Sequence, residues 1–179
     1  MMSIPGAPHP PRPEILVLGY GSSLRSDDSV GPRAAAAIAR RTRPGVRAMA
    51  AAQLTPELAE SVAAARLVVF VDARRAPAGA RVRARRIEAA SGASALAHVS
   101  TPEGLLALAQ TLFGARPRAW LVTVPGADFA VGEGLSPRAR TGLDAALRTI
   151  ATLVRRPATR PVGGRGAPGR AATPARTGG

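Results

Sequence analysis

Three aspartates and one histidine are the residues of this chain best placed to do chemistry. Asp27 and Asp28 stand side by side shortly after the glycine turn Gly19-Tyr20-Gly21. Asp72 closes the apolar run RLVVFVD, and His98 precedes a helical pattern. Carboxylate oxygens and an imidazole meeting on one rim would form an open, three-ligand metal site of nitrogen and oxygen type. Each residue also has a plainer explanation. An aspartate at a helix start satisfies free amides and suits the helix dipole, so capping accounts equally well for Asp27 or Asp28. Asp72 fits a strand-end turn, and a lone loop histidine is commonly structural or solvent-exposed. The second histidine, His9, lies in a proline-rich stretch and is read as idle. No local signature of the H-E-x-x-H kind ties these residues together.

Their positions follow from the elements around them. The apolar run ILVL predicts a buried strand over 14–19, and the pattern after the aspartates predicts a helix over 29–42 with Pro32 in its first turn. A weaker strand is expected over 46–51. A helix over 55–64 carries Thr55 as N-cap and Pro56 at its first position. RLVVFVD predicts a strand over 66–72. ARVRARRI, over 80–87, alternates small apolar residues with arginine, as an edge strand with one wet face does. A helix over 101–113 is bounded by Thr101 and Gly114, RAWLVTV predicts a strand over 118–124, and Ser136-Pro137 opens a long helix to 154. Alternating strands and helices imply an α/β sandwich around a mostly parallel sheet. The 80–87 strand follows Asp72 too closely for a parallel crossover, so it is expected to be antiparallel or displaced to the edge. If the first and third strands are parallel neighbours, Asp28 and Asp72 share the carboxyl edge, where such sheets bind ligands. No internal repeat is visible. Residues 1–13 and 157–179 are proline- or glycine-rich with few large apolar residues and are expected to be disordered tails around a body at 14–156.

Composition removes several functions. The chain has 179 residues and no cysteine, so disulfides, thiol nucleophiles and thiolate metal sites are excluded. The first two glycines of a dinucleotide fingerprint are present, but Leu24 replaces the third. The second strand ends in Ala51, Ala52 and Gln53 rather than an acid. No lysine is present to complete a phosphate-binding P-loop, and no G-x-S-x-G elbow occurs. The net charge is +14 and all of it is arginine, while aromatic residues are 3% of the chain. Scattered arginines without stacking platforms read as compositional bias and solvated surface rather than a nucleic-acid site. The alternative is a non-catalytic binding module whose arginine patches dock an acidic protein or nucleic acid. No apolar run approaches the roughly 20 residues that span a bilayer, and the N-terminal sequence lacks signal-peptide organisation. A cytoplasmic protein is expected.

GYGSSLRSDDSVGP resembles the G-x-G-N-x-L-x-x-D-[DE]-x-x-G signature of the [NiFe]-hydrogenase maturation proteases. AAQLTPELAE, LVVFVDA, AHVSTPEGLLALAQTLFG and RAWLVTVPGADFAVGEGLSP follow in the family's order, so the resemblance spans about 14–156. Ser22 stands where the family has asparagine, and AHVST replaces its S-P-H. The resemblance implies a phosphorylase/hydrolase-like α/β/α sandwich around a mixed five-stranded sheet with one antiparallel strand. It implies an aspartic-type, metal-assisted endopeptidase that removes a C-terminal extension from the hydrogenase large-subunit precursor after nickel insertion. By motif position, the family's metal-binding and catalytic residues fall on Asp28, Asp72 and His98. The nickel they meet is supplied by the substrate. Asp27 is left with a supporting or capping role.

Overall fold

A computed structural model of the chain describes residues 15–41, 43–91 and 99–155. His98 and the tails expected at 1–13 and 157–179 lie outside the described residues. Five strands form one sheet: β1 (Ile15–Tyr20), β2 (Val46–Ala51), β3 (Leu67–Arg75), β4 (Arg83–Ile87) and β5 (Arg118–Gly126), in the order β2-β1-β3-β5-β4. β1, β2, β3 and β5 run parallel, and β4 is the antiparallel edge. Leu16, Val17 and Leu18 in β1 and Val68, Val69, Phe70 and Val71 in β3 are all fully buried. Central parallel strands are covered on both faces, which is why these two read as continuous apolar runs.

Among the described residues four α-helices cover the sheet. α1 (Val30–Ala39) and α4 (Pro137–Arg155) pack Val30, Ala34, Ala146 and Ile150 against Val17, Val69, Val71 and Val122 on one face. α2 (Leu58–Ala63) and α3 (Pro102–Phe113) pack Val62, Leu105, Leu106 and Ala109 against Leu16, Leu18, Val68 and Phe70 on the other. The result is the expected α/β/α sandwich with a mixed, mostly parallel five-stranded sheet.

Several boundaries move for local reasons. The helix expected from Ser29 begins at Val30 and is preceded by a 3-10 helix over Ser26–Ser29 that contains both aspartates. Thr55 does not cap α2. The Leu58 and Ala59 amides close turns onto the Thr55 and Pro56 carbonyls. α2 is therefore a short helix starting at Leu58. β4 begins at Arg83 rather than at 80, and β3 runs on to Arg75. α3 follows expectation: Thr101 Oγ1 accepts the Gly104 amide at 3.1 Å, and Gly114 ends the helix at φ 64°.

The signature glycines act through close packing. A Cβ on Gly19 would collide with the Gly31 carbonyl, and one on Gly31 would collide with the Tyr20 carbonyl and lie 2.6 Å from that of Val71. The first turn of α1 is thereby pressed onto the ends of β1 and β3, bringing Asp27 and Asp28 to the sheet edge. Gly31→Ala should lower stability by about 3 kcal/mol or more, because backbone on both sides blocks relaxation. Urea denaturation would read this as a lower midpoint, and an unchanged midpoint would refute the packing account.

Candidate functional site

The chain leaves β1 for β2 on one side and later enters β3 on the other, so strand order reverses between β1 and β3. A crevice opens at the carboxyl edge of such a reversal. Asp28 lies in the segment after β1, and Asp72 lies near the end of β3. Alternation places Tyr20 beyond Leu16 and Leu18, and Asp72 beyond Val68 and Phe70, on the face covered by α2 and α3. The pairing of Gly19 with Val71 brings Tyr20 level with Asp72.

The Tyr20 phenol lies beside the Asp72 carboxylate, and each shifts the other's ionisation. Burial pushes the Asp72 carboxyl up to about 6. The Tyr20 hydroxyl and the Ala73 amide pull it down, and the charge of Asp28 pushes it up. The Tyr20 phenol is itself driven well above its ordinary value, first by burial and then by the Asp72 charge. Asp28 is half-buried, and its Oδ2 accepts the Ser22 amide at 2.7 Å. Gly21 makes that approach feasible: its φ is 134°, and a Cβ there would collide with the Asp28 carbonyl. The Ser22 hydroxyl also accepts the Leu24 amide at 3.3 Å.

Two carboxylates facing one crevice favour a cation, or a proton, between them. The structure thus brings together two of the three residues expected to act jointly. His98 lies outside the described residues, and among the described residues no group of three or more His, Asp or Glu side chains could hold a metal ion. α3 ends shortly before β5 starts at the amino edge, so its Thr101 end opens toward the carboxyl edge, where Glu103 adds its charge to the surroundings of Tyr20. A cleft of about 520 Å³ between α1 and α4 lies elsewhere and has no acid in its lining.

Asp27 differs from its neighbour. It is fully buried and does not cap its own helix. Its Oδ2 accepts the Ala127 amide at 2.7 Å, the Asp128 amide at 2.9 Å and the Ser136 hydroxyl at 2.8 Å, while Oδ1 accepts the Ser136 amide at 2.7 Å. Burial alone would raise its carboxyl. The amides of Asp128, Ala127 and Ser136 outweigh that and hold it below its ordinary value. Capping was thus half right: Asp27 satisfies free amides, but those of the loop before α4.

Tyr20, Ser136, Glu103 and Arg85 were not anticipated. The Ser136 hydroxyl also accepts the Ala139 amide at 3.2 Å as the start of α4, and Arg85 meets Glu103 at 2.8 Å. A serine before proline signals a helix start, but nothing in the sequence points it at an aspartate 109 positions away. Tyr20 could be found only by knowing that β1 pairs with β3.

The two aspartates should respond to pH in opposite directions. Asp27, depressed in the folded chain, contributes stability that is present at neutral pH and is lost on acidification. Asp27→Ala should cost about 3 kcal/mol at neutral pH by leaving buried amides unpaired. Asp72 is raised, so its ionisation opposes folding as pH climbs from the ordinary carboxylate range through about 6. Asp72→Asn should therefore gain stability relative to the parent at about pH 8 compared with about pH 4. Thermal melts at both pH values check both statements, and a Asp72→Asn difference that does not change with pH would refute the second.

No protein-family model matches the chain, and no curated protein matches it. Solved structures do. The hydrogenase maturating endopeptidase HybD from E. coli is 23% identical, with TM-score 0.59 over 79% of this chain and 92% of that one. The [NiFe] hydrogenase maturation protease HycI from Thermococcus kodakarensis is 20% identical, with TM-score 0.60 over 80% and 94%. The hydrogenase 2 maturation peptidase from a Thaumarchaeota archaeon is 19% identical, with TM-score 0.57 over 79% and 98%. Among the described residues no helix is long and apolar enough to cross a membrane. The chain has the fold of the hydrogenase maturation endopeptidases.

Proposed function

We propose that the protein is a hydrogenase maturation endopeptidase, which removes a C-terminal extension from the nickel-loaded precursor of a [NiFe]-hydrogenase large subunit. The observation that carries this reading is the placement of Asp28 and Asp72 at the β1–β3 crevice, where the Asp28 charge raises the Asp72 carboxyl, in a fold shared with such endopeptidases. The order of the signature along the chain agrees with it.

In this reading the nickel is part of the substrate. Asp28 and Asp72 offer it oxygen ligands, His98 an imidazole, and the precursor's own thiolates complete the coordination. Two oxygens and one imidazole hold free nickel only weakly. Such a site distinguishes a loaded precursor from an empty one because neither half is sufficient alone. Held by Asp28, Asp72 and His98, the metal would supply Lewis-acid chemistry at the C-terminal segment presented for hydrolysis. The roles of the surrounding residues follow from their contacts. The Ser22 amide fixes the rotamer of Asp28. The Tyr20 phenol beside Asp72 draws its carboxyl down. Asp27 fixes the loop behind them. In this reading the protein works in the cytoplasm. A non-catalytic binding module would leave the half-buried Tyr20–Asp72 pair without a purpose.

Incubation of the purified chain with a nickel-loaded precursor, followed by intact-mass measurement, tests the reading. Asp28→Asn and His98→Ala should slow cleavage by about 100-fold or more, and Tyr20→Phe by about tenfold, with melting behaviour kept. Cleavage at the parent rate by both Asp28→Asn and His98→Ala would reject it.

A further inference from the structure

β3 continues beyond Asp72, and its Arg74 joins other guanidinium groups around a cavity at the same end of the sheet. Asp72 pairs with Thr123, and Thr123 with Arg83, so the three form a row across β3, β5 and β4. With strands about 4.8 Å apart, the Arg83 backbone lies roughly 10 Å from that of Asp72. Arg74, two residues past Asp72, leaves β3 on the same face. Arg74, Arg81 and Arg83 line a cavity of about 120 Å³ with Thr123, Pro125 and the chain around Ala76. That volume suits a carboxylate group.

Most neighbouring arginines already have partners. Arg85 pairs with Glu103 at 2.8 Å, and Arg86 approaches Glu88 at 3.9 Å. Arg75 donates to the Ala127 carbonyl and stacks 5.1 Å from the centre of the Phe129 ring. Arg138 donates to the Ala76 and Pro77 carbonyls and so fixes one wall of the cavity. Among the described residues Arg74, Arg81 and Arg83 have no acidic partner. Three like charges around one small cavity repel one another, and a bound anion relieves that repulsion. The guanidinium fork also matches a carboxylate in two-point geometry.

We infer that this cavity is an anion subsite that receives an acidic side chain of the protein substrate, beside the Asp28–Asp72 pair. The inference rests on reading that pair as the place where a polypeptide is held for cleavage. It adds a recognition element: an aspartate or glutamate close in sequence to the bond presented to Asp72. Nucleic acid suits the cavity less well. Bases bind by stacking on free aromatic faces, whereas Tyr20 is tied to Asp72 and Phe129 is covered by Arg75.

Fluorescence anisotropy of a labelled hexaglutamate peptide with the full chain tests the subsite. R74Q/R81Q/R83Q should weaken binding by about tenfold or more. R40Q/R41Q/R140Q, which removes as much charge at the α1–α4 cleft, should weaken it by about twofold or less. R83Q alone, exposed on the edge strand, should lower affinity by about threefold and serves if the triple variant folds poorly. Equal losses in the two triple variants would overturn the proposal by showing a general charge effect, as would failure of the parent chain to bind. A labelled oligouridylate that binds more tightly than the peptide, with the same dependence on the three arginines, would assign the cavity to nucleic acid instead. The readout is binding rather than hydrolysis. A chain that binds the peptide through these arginines but cleaves no precursor keeps the subsite and loses the peptidase reading. The opposite result does the reverse.

Discussion

The buried carboxylate of Asp27 organises the carboxyl edge of the sheet. It gathers the amides of Ala127, Asp128 and Ser136 and the Ser136 hydroxyl, all from the loop between β5 and α4. The backbone adds the Ser26 amide to the Gly132 carbonyl, the Gly132 amide to the Leu24 carbonyl, and the Asp27 amide to the Asp128 carbonyl. Two loops distant in sequence become one unit. A charge buried so completely is tolerated because each carboxylate oxygen meets fixed donors. With Asp27 committed in this way, the next residue is held by the Ser22 amide at the crevice and shares its field with Asp72.

Two adjacent aspartates thus do different work, and the contrast extends to Asp72. Donors outnumber the burial penalty at Asp27 and keep it ionised. At Asp72 burial and the charge of Asp28 prevail over one phenol and one amide, leaving a carboxyl that titrates near 6. The sheet sets up this difference. Tyr20 reaches Asp72 because β1 and β3 are parallel neighbours in register, and α1 closes onto those strands through Gly19 and Gly31 without side chains between.

Much of this was legible in the sequence. The buried strands showed as ILVL and RLVVFVD, the caps of α3 as Thr101 and Gly114, and the antiparallel edge through a link too short for a crossover. What stayed hidden was relational. Thr55 has the right type and place for a cap, yet the chain turns through Pro56 and Glu57 before α2 begins at Leu58. Asp27 looked like a local cap because its donors lie 100 to 109 positions away. The arginines looked like one undifferentiated excess. Only the packing separates those tied to Glu103, Glu88 or backbone carbonyls from Arg74, Arg81 and Arg83.

The central claim is that the Asp28–Asp72 crevice hydrolyses a precursor only when that precursor carries nickel. The most direct measurement compares the intact mass of the large-subunit precursor, nickel-loaded and metal-free, before and after incubation with the purified protein. The account predicts loss of a C-terminal fragment from the loaded form and an unchanged mass for the metal-free form. Equal cleavage of both forms, or of neither, would contradict it.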